Sequence, residues 1–113
     1  MIENRKYPRV AIRVPIYIAL QHTVFRKTVR LESTDVSAGG VAFATSQEIT
    51  LDAQSSVVLT QLGDLGGPAL IHGRVARIIK APETGRYTVA VEFTGFEGTS
   101  REELVERIEK WKG

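Results

Sequence analysis

The sequence contains no cysteine, and this absence excludes several kinds of site. Without thiols the chain has no disulfide, no thiolate metal site and no cysteine nucleophile. No apolar run approaches the roughly 20 residues that a membrane-spanning helix needs, and residues 1–5 do not have the pattern that opens a signal peptide. We therefore expect a cytoplasmic protein without a membrane span.

Histidines and aromatic residues are also scarce. His22 and His72 are the only histidines, and neither lies in a nucleophile elbow or in a paired metal-binding spacing. A triad of Ser37, a histidine and Asp35 would place the aspartate two residues from its serine, which is poor geometry for orienting a histidine. Aromatic residues make up 7% of the chain, which leaves few stacking platforms for single-stranded nucleic acid. The sequence predicts a protein that is not an enzyme, with no metal or cofactor and no nucleic-acid polymer as partner.

The composition is that of one folded domain with an uneven distribution of charge. The chain has 113 residues, of which 42% are hydrophobic and 25% charged, so we expect a single domain over 1–113. Residues 1–30 hold seven basic side chains and one acidic, whereas residues 31–98 hold four basic and eight acidic. This asymmetry favours an anionic partner. The alternative is that the basic residues only aid solubility.

Hydrophobic alternation predicts six β-strands. The pattern is clearest from residue 12 to residue 20, where Pro15 indicates an edge or a bulge. Further strands are expected, one of them bent at Gly73, over residues 24–34, 41–45, 56–62, 69–80 and 86–94. Closely spaced short strands of this kind predict a small antiparallel barrel over 12–95, preceded by a flexible basic arm over 1–11.

The period changes at the end of the chain, where residues 99–112 are predicted to form a helix. Thr99 or Ser100 can cap it, with Glu102 or Glu103 completing a capping box. The apolar residues Leu104, Val105, Ile108 and Trp111 are expected on one stripe that packs on the barrel or on a partner, with Trp111 as the largest anchor. The fold class is therefore mainly all-β, a six-stranded antiparallel barrel with a C-terminal α-helix.

The segment Asp35–Gly40 between the second and third strands has the chemistry of a binding site. Asp35 and Ser37 would share one face of an extended chain, and Gly39 and Gly40 permit a close approach or a positive φ. An ionised aspartate accepts hydrogen bonds at two oxygens and suits a planar edge with two N–H donors, such as N1 and N2 of guanine. The alternative is a plain turn, in which Asp and Ser bond to nearby backbone.

The basic arm offers a complementary group. Arg5 and Arg9 stand four residues apart, and Pro8 keeps the segment extended, so both would point to one side. Arginine presents a planar fork that binds phosphate or the O6 and N7 edge of guanine. The same spacing recurs at Arg9 and Arg13, but Arg13 is expected to be a solvated strand residue.

Together these motifs resemble PilZ domains, bacterial receptors for the second messenger cyclic di-GMP. An RxxxR arm at Arg5–Arg9 precedes the barrel, a DxSxxG segment follows at Asp35–Gly40, and the strand segments 71–75 and 87–93 are also similar to those of the family. The resemblance implies that Arg5 and Arg9 contact guanine and phosphate. It implies a guanine site on the barrel surface that is shaped by Asp35, Ser37, Gly39 and Gly40. Asn4 and Lys6 are possible secondary contacts, and many members carry an arginine where this chain has Asn4.

Two other functions stay open at this point. A PilZ-type barrel could act as a protein-interaction adaptor without a nucleotide, docking through the helix at 99–112. A small basic barrel could also bind single-stranded nucleic acid, although few aromatic side chains lie near the basic residues. The expected function is reception of cyclic di-GMP, with the changed surface passing the signal to a downstream protein partner.

Overall fold

Six antiparallel strands close into a barrel, and one helix follows them. The computed structural model describes residues 7–20, 27–45, 55–65 and 69–112. The strands are β1 (Pro15–Leu20), β2 (Lys27–Ser37), β3 (Gly40–Thr45), β4 (Ser56–Leu62), β5 (Leu70–Lys80) and β6 (Tyr87–Glu97). Their order around the barrel is β1-β2-β3-β6-β5-β4, with β4 pairing back to β1, and helix α1 covers Arg101–Lys112. The predicted fold class is confirmed.

The barrel interior is filled by one side of each strand. In β1 the side chains of Ile16 and Ile18 are buried, as the alternation predicts, and Val89, Val91 and Phe93 are their counterparts in β6. The side chains of Leu104 and Ile108 on α1 join the same core. Because alternate residues point inward, the remaining positions of β2, β3 and β6 form the outer face on which a ligand can lie.

The closed barrel alters the expectation for Pro15. It is the first residue of β1 and pairs with Glu32 of β2, so it lies neither at a sheet edge nor at a bulge. Proline has no N–H to donate to a neighbouring strand, and the first residue of a strand is one of the positions where this is tolerated. The bulge of β1 falls two residues further on, between Tyr17 and Ile18, against β4. Residues 12–14 precede the strand, and Ser33 holds them through the backbone N–H and carbonyl of Val14.

Other boundaries differ by a few residues. β2 continues to Ser37 and β6 to Glu97, so the barrel runs past residue 95 and the helix begins at residue 101 rather than 99. The expected bend at Gly73 is present as a register shift between His72 and Gly73. No helix in the described ranges is both long enough and apolar enough to span a membrane.

Helix α1 is capped and docked by its own polar side chains. The Oγ of Ser100 accepts a hydrogen bond from the backbone N–H of Glu103 at 3.1 Å, as an N-cap residue should. The carboxylate of Glu103 accepts from the hydroxyl of Thr99, at 2.8 Å, instead of closing the capping box on Ser100. The prediction for Val105 was wrong: this residue is 41% exposed, because the buried stripe is only one residue wide at each turn.

Trp111 anchors the end of the helix on the turn after β4. Its Nε1 donates to Asp64 at 3.0 Å, and Asp64 also accepts from Arg107 at 2.8 Å. A Cβ atom at Gly63, where φ is 63°, would lie 2.5 Å from the indole ring. Glycine therefore permits both the turn and the close contact with the ring.

Candidate ligand-binding site

Five of the predicted site residues line one cavity on the outer face of the barrel. The cavity has a volume of about 330 Å³ and lies between the segment before β1 and the strands β2, β3 and β6. These residues are Arg9, Asp35, Ser37, Gly39 and Gly40. We call this the Arg9–Asp35 cavity. The other predicted contacts, Asn4, Arg5 and Lys6, lie outside the described residues.

The DxSxxG segment is mostly strand, not turn. Asp35, Val36 and Ser37 end β2, and Gly40 begins β3, paired with Ser37. Only residues 38 and 39 make the turn, so the expectation of a six-residue turn was wrong. A register shift between Ser33 and Asp35 bends β2 just before the motif. Bulges of this kind re-aim side chains, and here Asp35 and Ser37 both face the cavity.

Ser37 behaves as a turn residue, whereas Asp35 behaves as a candidate ligand contact. The Oγ of Ser37 accepts a hydrogen bond from the backbone N–H of Gly39 at 3.1 Å, so its hydroxyl is engaged in the turn. Within the described ranges, Asp35 makes no such bond to the backbone, and its carboxylate is 28% exposed. A carboxylate without a turn bond is available to a ligand.

The two glycines serve close approach rather than positive φ. A Cβ atom at Gly40 would lie 2.2 Å from the carbonyl oxygen of Val91 in β6, a distance that no side chain tolerates. One at Gly39 would lie 3.3 Å from the ring of Tyr7. Of the two possibilities that the sequence left open, close approach applies here; among the described residues, positive φ occurs at Gly63, Gly85 and Gly98. Gly40 thus lets β3 and β6 pair beneath the cavity.

Arg9 is held beside Asp35 by the backbone. Val10 and Val36 exchange two N–H···O hydrogen bonds, each of 2.9 Å, and these are the residues that follow Arg9 and Asp35. The Nε of Arg9 lies 3.9 Å from Oδ1 of Asp35, an ion-pair distance that is too long for a hydrogen bond. The segment before β1 therefore places a guanidinium at the rim of the cavity, and its donors make no hydrogen bond to Asp35.

Sequence reasoning missed Tyr7 as part of the site. Its ring lines the cavity, lies over Gly39, and receives the guanidinium of Arg101 at 5.3 Å from the ring centroid. Arg101 also lies 5.1 Å from the ring of Phe96, so the start of α1 is clamped to the segment before β1. An aromatic residue between Arg5 and Arg9 was visible in the sequence, but its contact with the helix was not.

The strands β5 and β6 supply the rest of the cavity wall. Ala76 and Ala90 give it a shallow apolar part, and Glu92 adds a second carboxylate. Arg74 bonds to Glu92 at 3.1 Å and so offsets that charge. The alternation of β6 put Ala90 and Glu92 on the outer face, but only the pairing of β3 with β6 brings them beside Gly40.

Comparisons with known proteins give the same fold. The chain is similar to the inhibitor of motility MotI/DgrA of Bacillus subtilis, with 17% identity, a TM-score of 0.72, and coverage of 98% of this chain and 52% of that chain. It is similar to MrkH of K. pneumonia in a c-di-GMP complex, with 20% identity, a TM-score of 0.69, and coverage of 97% and 52%. The PilZ domain of YcgR from Escherichia coli, also with c-di-GMP, matches with 16% identity, a TM-score of 0.60, and coverage of 97% and 92%.

The chain spans about half the length of MotI/DgrA and of MrkH. No curated protein sequence matches it at a significant level. The family comparison is decisive, because the PilZ domain profile matches residues 3–110. The chain belongs to the PilZ domain family.

Proposed function

We propose that this chain is a receptor for cyclic di-GMP, which it binds in the Arg9–Asp35 cavity. The observation that carries the proposal is the convergence of Arg9, Asp35, Ser37, Gly39 and Gly40 on one cavity. These residues come from two motifs that are more than twenty residues apart in the sequence. The solved c-di-GMP complexes of MrkH and YcgR, which share this fold, support the same ligand.

The ligand and the cavity have complementary chemistry. Cyclic di-GMP carries two phosphates and two guanines, so it needs cationic donors together with an acceptor for the N1 and N2 edge. Asp35 supplies the acceptor, and Arg9 supplies a fork for phosphate or for the O6 and N7 edge. We assign Arg5 to the same kind of contact on the ligand, and Asn4 and Lys6 to secondary contacts.

Binding replaces a weak internal contact with stronger ones. The exposed Arg9–Asp35 pair, at 3.9 Å, contributes about 0–1 kcal/mol to stability. Each new hydrogen bond from or to a charged group contributes about 1.5–3 kcal/mol. The net balance therefore favours the ligand even though the ion pair must open. Ser37 and Gly40 act differently, by fixing the hairpin and the β3–β6 pairing that shape the cavity floor.

Tyr7 connects the cavity to helix α1. The ring contacts the cavity at Gly39 and the helix at Arg101. A ligand that moves the segment carrying Tyr7 and Arg9 therefore changes the seating of the first turn of α1. The effect requires that the ligand favour one arrangement of the segment over the other. We propose that a downstream protein partner reads this change, in the cytoplasm.

Calorimetric titration with two cyclic dinucleotides tests the proposal. Cyclic di-AMP is the matched control, because it has the same backbone and charge as cyclic di-GMP but lacks the guanine N1 and N2 donor pair. We expect cyclic di-GMP to bind and cyclic di-AMP to bind at least about tenfold more weakly, the effect of one lost charge-assisted contact. Equal binding would contradict recognition of the guanine edge. No binding of either would favour the adaptor function.

A further inference from the structure

A second groove lies on the outer face of the barrel, towards the β5–β6 hairpin. Its volume is about 530 Å³. The groove and the Arg9–Asp35 cavity lie at different positions along the β3–β6 strand pair. Ala44 and Thr88, which pair with each other, line the groove, whereas the pair Gly40 and Glu92 lines the cavity. We call it the three-arginine groove; the residues that matter here are Arg13, Arg30, Thr34, Arg86 and Thr88.

The residues that line this groove carry an excess of positive charge. Arg13, Arg30 and Arg86 are all exposed, and Glu32 is the only acidic residue among those that line it. No ion pair joins any of the three arginines to another residue of the described ranges. Elsewhere on this barrel, Arg74 and Arg107 are paired with carboxylates. Three exposed arginines that line one groove, with no ion pair to another described residue, favour an anionic occupant.

The shape and lining of the groove narrow the choice of occupant. None of its lining residues is aromatic, so it lacks the stacking platforms that single-stranded nucleic acid requires. The hydroxyl of Ser33, the buried polar group beneath it, is already bonded to the backbone of Ile12 and Val14. The side-chain donors that line the groove and make no hydrogen bond as donors within the described ranges are therefore the arginines and the threonine hydroxyls. An open trough of this kind suits an extended chain with carboxylates.

We propose that the three-arginine groove docks an acidic segment of a protein partner. Carboxylate side chains of the partner would pair with the planar guanidinium forks of Arg13, Arg30 and Arg86. This deepens the proposed receptor function by naming the chemistry of the partner, but docking itself does not need the nucleotide. It is a different surface from the Arg9–Asp35 cavity and from helix α1.

The segment before β1 connects the groove to the ligand cavity. Arg9 lines the cavity and Arg13 lines the groove, four residues later on the same stretch of chain. β2 holds this stretch at both ends, through the Val10–Val36 bonds and through the bond from Ser33 N–H to the carbonyl of Val14. Because both arginines lie on one short segment, a ligand that displaces the backbone at Arg9 would also displace Arg13. If cyclic di-GMP binds, it should change the affinity of the groove for its acidic segment.

Fluorescence anisotropy with a labelled synthetic peptide rich in Glu and Asp tests the docking. The peptide in which Gln and Asn replace the acids is the matched control. We expect the acidic peptide to bind, with an affinity that falls as salt rises, and the Gln and Asn peptide not to bind. Each of the single variants Arg13→Glu and Arg30→Glu should weaken binding by about tenfold or more. Arg77→Glu makes the same change of charge at an exposed residue that lines neither site, and it should have little effect.

Several results would overturn the proposal. These are no binding of the acidic peptide, equal weakening by Arg77→Glu, or preference for a single-stranded oligonucleotide. Concentration-dependent self-association without peptide binding would assign the groove to a second copy of the chain instead. Thermal melts show whether each variant is folded, and calorimetry with cyclic di-GMP on the same proteins separates the two claims. If the nucleotide fails to bind while the peptide shows the expected pattern, the groove stands and the receptor function fails.

Discussion

Replacing Arg9 with alanine separates a ligand contact from a structural role. The guanidinium is 34% exposed and lies 3.9 Å from the carboxylate of Asp35, so its removal costs the fold about 0.5 kcal/mol. That corresponds to a fall of about 2 °C in Tm for a domain of this size. The affinity for cyclic di-GMP should fall much more, by about 10- to 150-fold, because a charge-assisted hydrogen bond is lost.

Calorimetry and thermal melting on the same protein samples measure both quantities. Arg9→Lys retains the charge but removes the planar fork, so its affinity should lie between those of the unmodified protein and Arg9→Ala. Arg13→Ala removes an equal charge four residues later, outside the Arg9–Asp35 cavity, and should leave cyclic di-GMP binding nearly unchanged. Equal losses in Arg9→Ala and Arg13→Ala would refute the reasoning, because the positive charge would then act diffusely.

Three further predictions concern neighbouring positions. Asp35→Ala should weaken cyclic di-GMP binding more than Asp35→Asn, whose carbonyl still accepts a hydrogen bond. The Tm of Asp35→Ala should fall only as little as in Arg9→Ala, because both substitutions remove the same weak ion pair; a large fall in Tm with unchanged affinity would instead assign Asp35 to the turn. Gly40→Ala should cost about 1–3 kcal/mol of unfolding free energy, since its Cβ would meet the carbonyl of Val91 at 2.2 Å. Its matched control, Gly39→Ala, should cost less than about 1 kcal/mol because its Cβ meets only the edge of the Tyr7 ring at 3.3 Å, and similar denaturant midpoints would contradict this difference. Titration of the unmodified protein should show one ligand per chain, because two stacked dinucleotides bring four phosphate charges that repel one another. Asn4→Arg should strengthen a second site more than the first. A plateau at two ligands of similar affinity would be incompatible with this view.

The hydrophobic pattern of the sequence predicted the strands, but it gave no prediction of which strands pair. Alternation does not mark β4, whose consecutive residues Val57, Val58 and Leu59 are all buried, although the predicted bounds from Ser56 to Leu62 are correct. It ended β6 too early, since Phe96 follows Gly95 and breaks the simple pattern. Pairing is set by packing of the whole barrel, and no single segment of sequence encodes that Gly40 lies against Val91.

The candidate site shows the same division. Asp35, Ser37 and Gly40 were found because an aspartate, a serine and a glycine in one short segment indicate either a turn or a binding site. The contribution of Tyr7 was not found, since its contact with Arg101 joins two ends of the sequence that only the folded barrel brings together. Nor did sequence spacing distinguish Arg9 from Arg13, because the assignment of each to its own surface depends on how β2 holds the segment between them.

The position of Trp111 makes it an intrinsic optical probe. It is the only tryptophan in the chain, and its indole rests on Gly63 while donating a hydrogen bond to Asp64. Its emission therefore reports the seating of the last turn of α1 on the barrel, without a contribution from any second indole. Because Trp111 does not line the Arg9–Asp35 cavity, a change in its emission on adding a nucleotide would come from helix movement rather than from direct quenching.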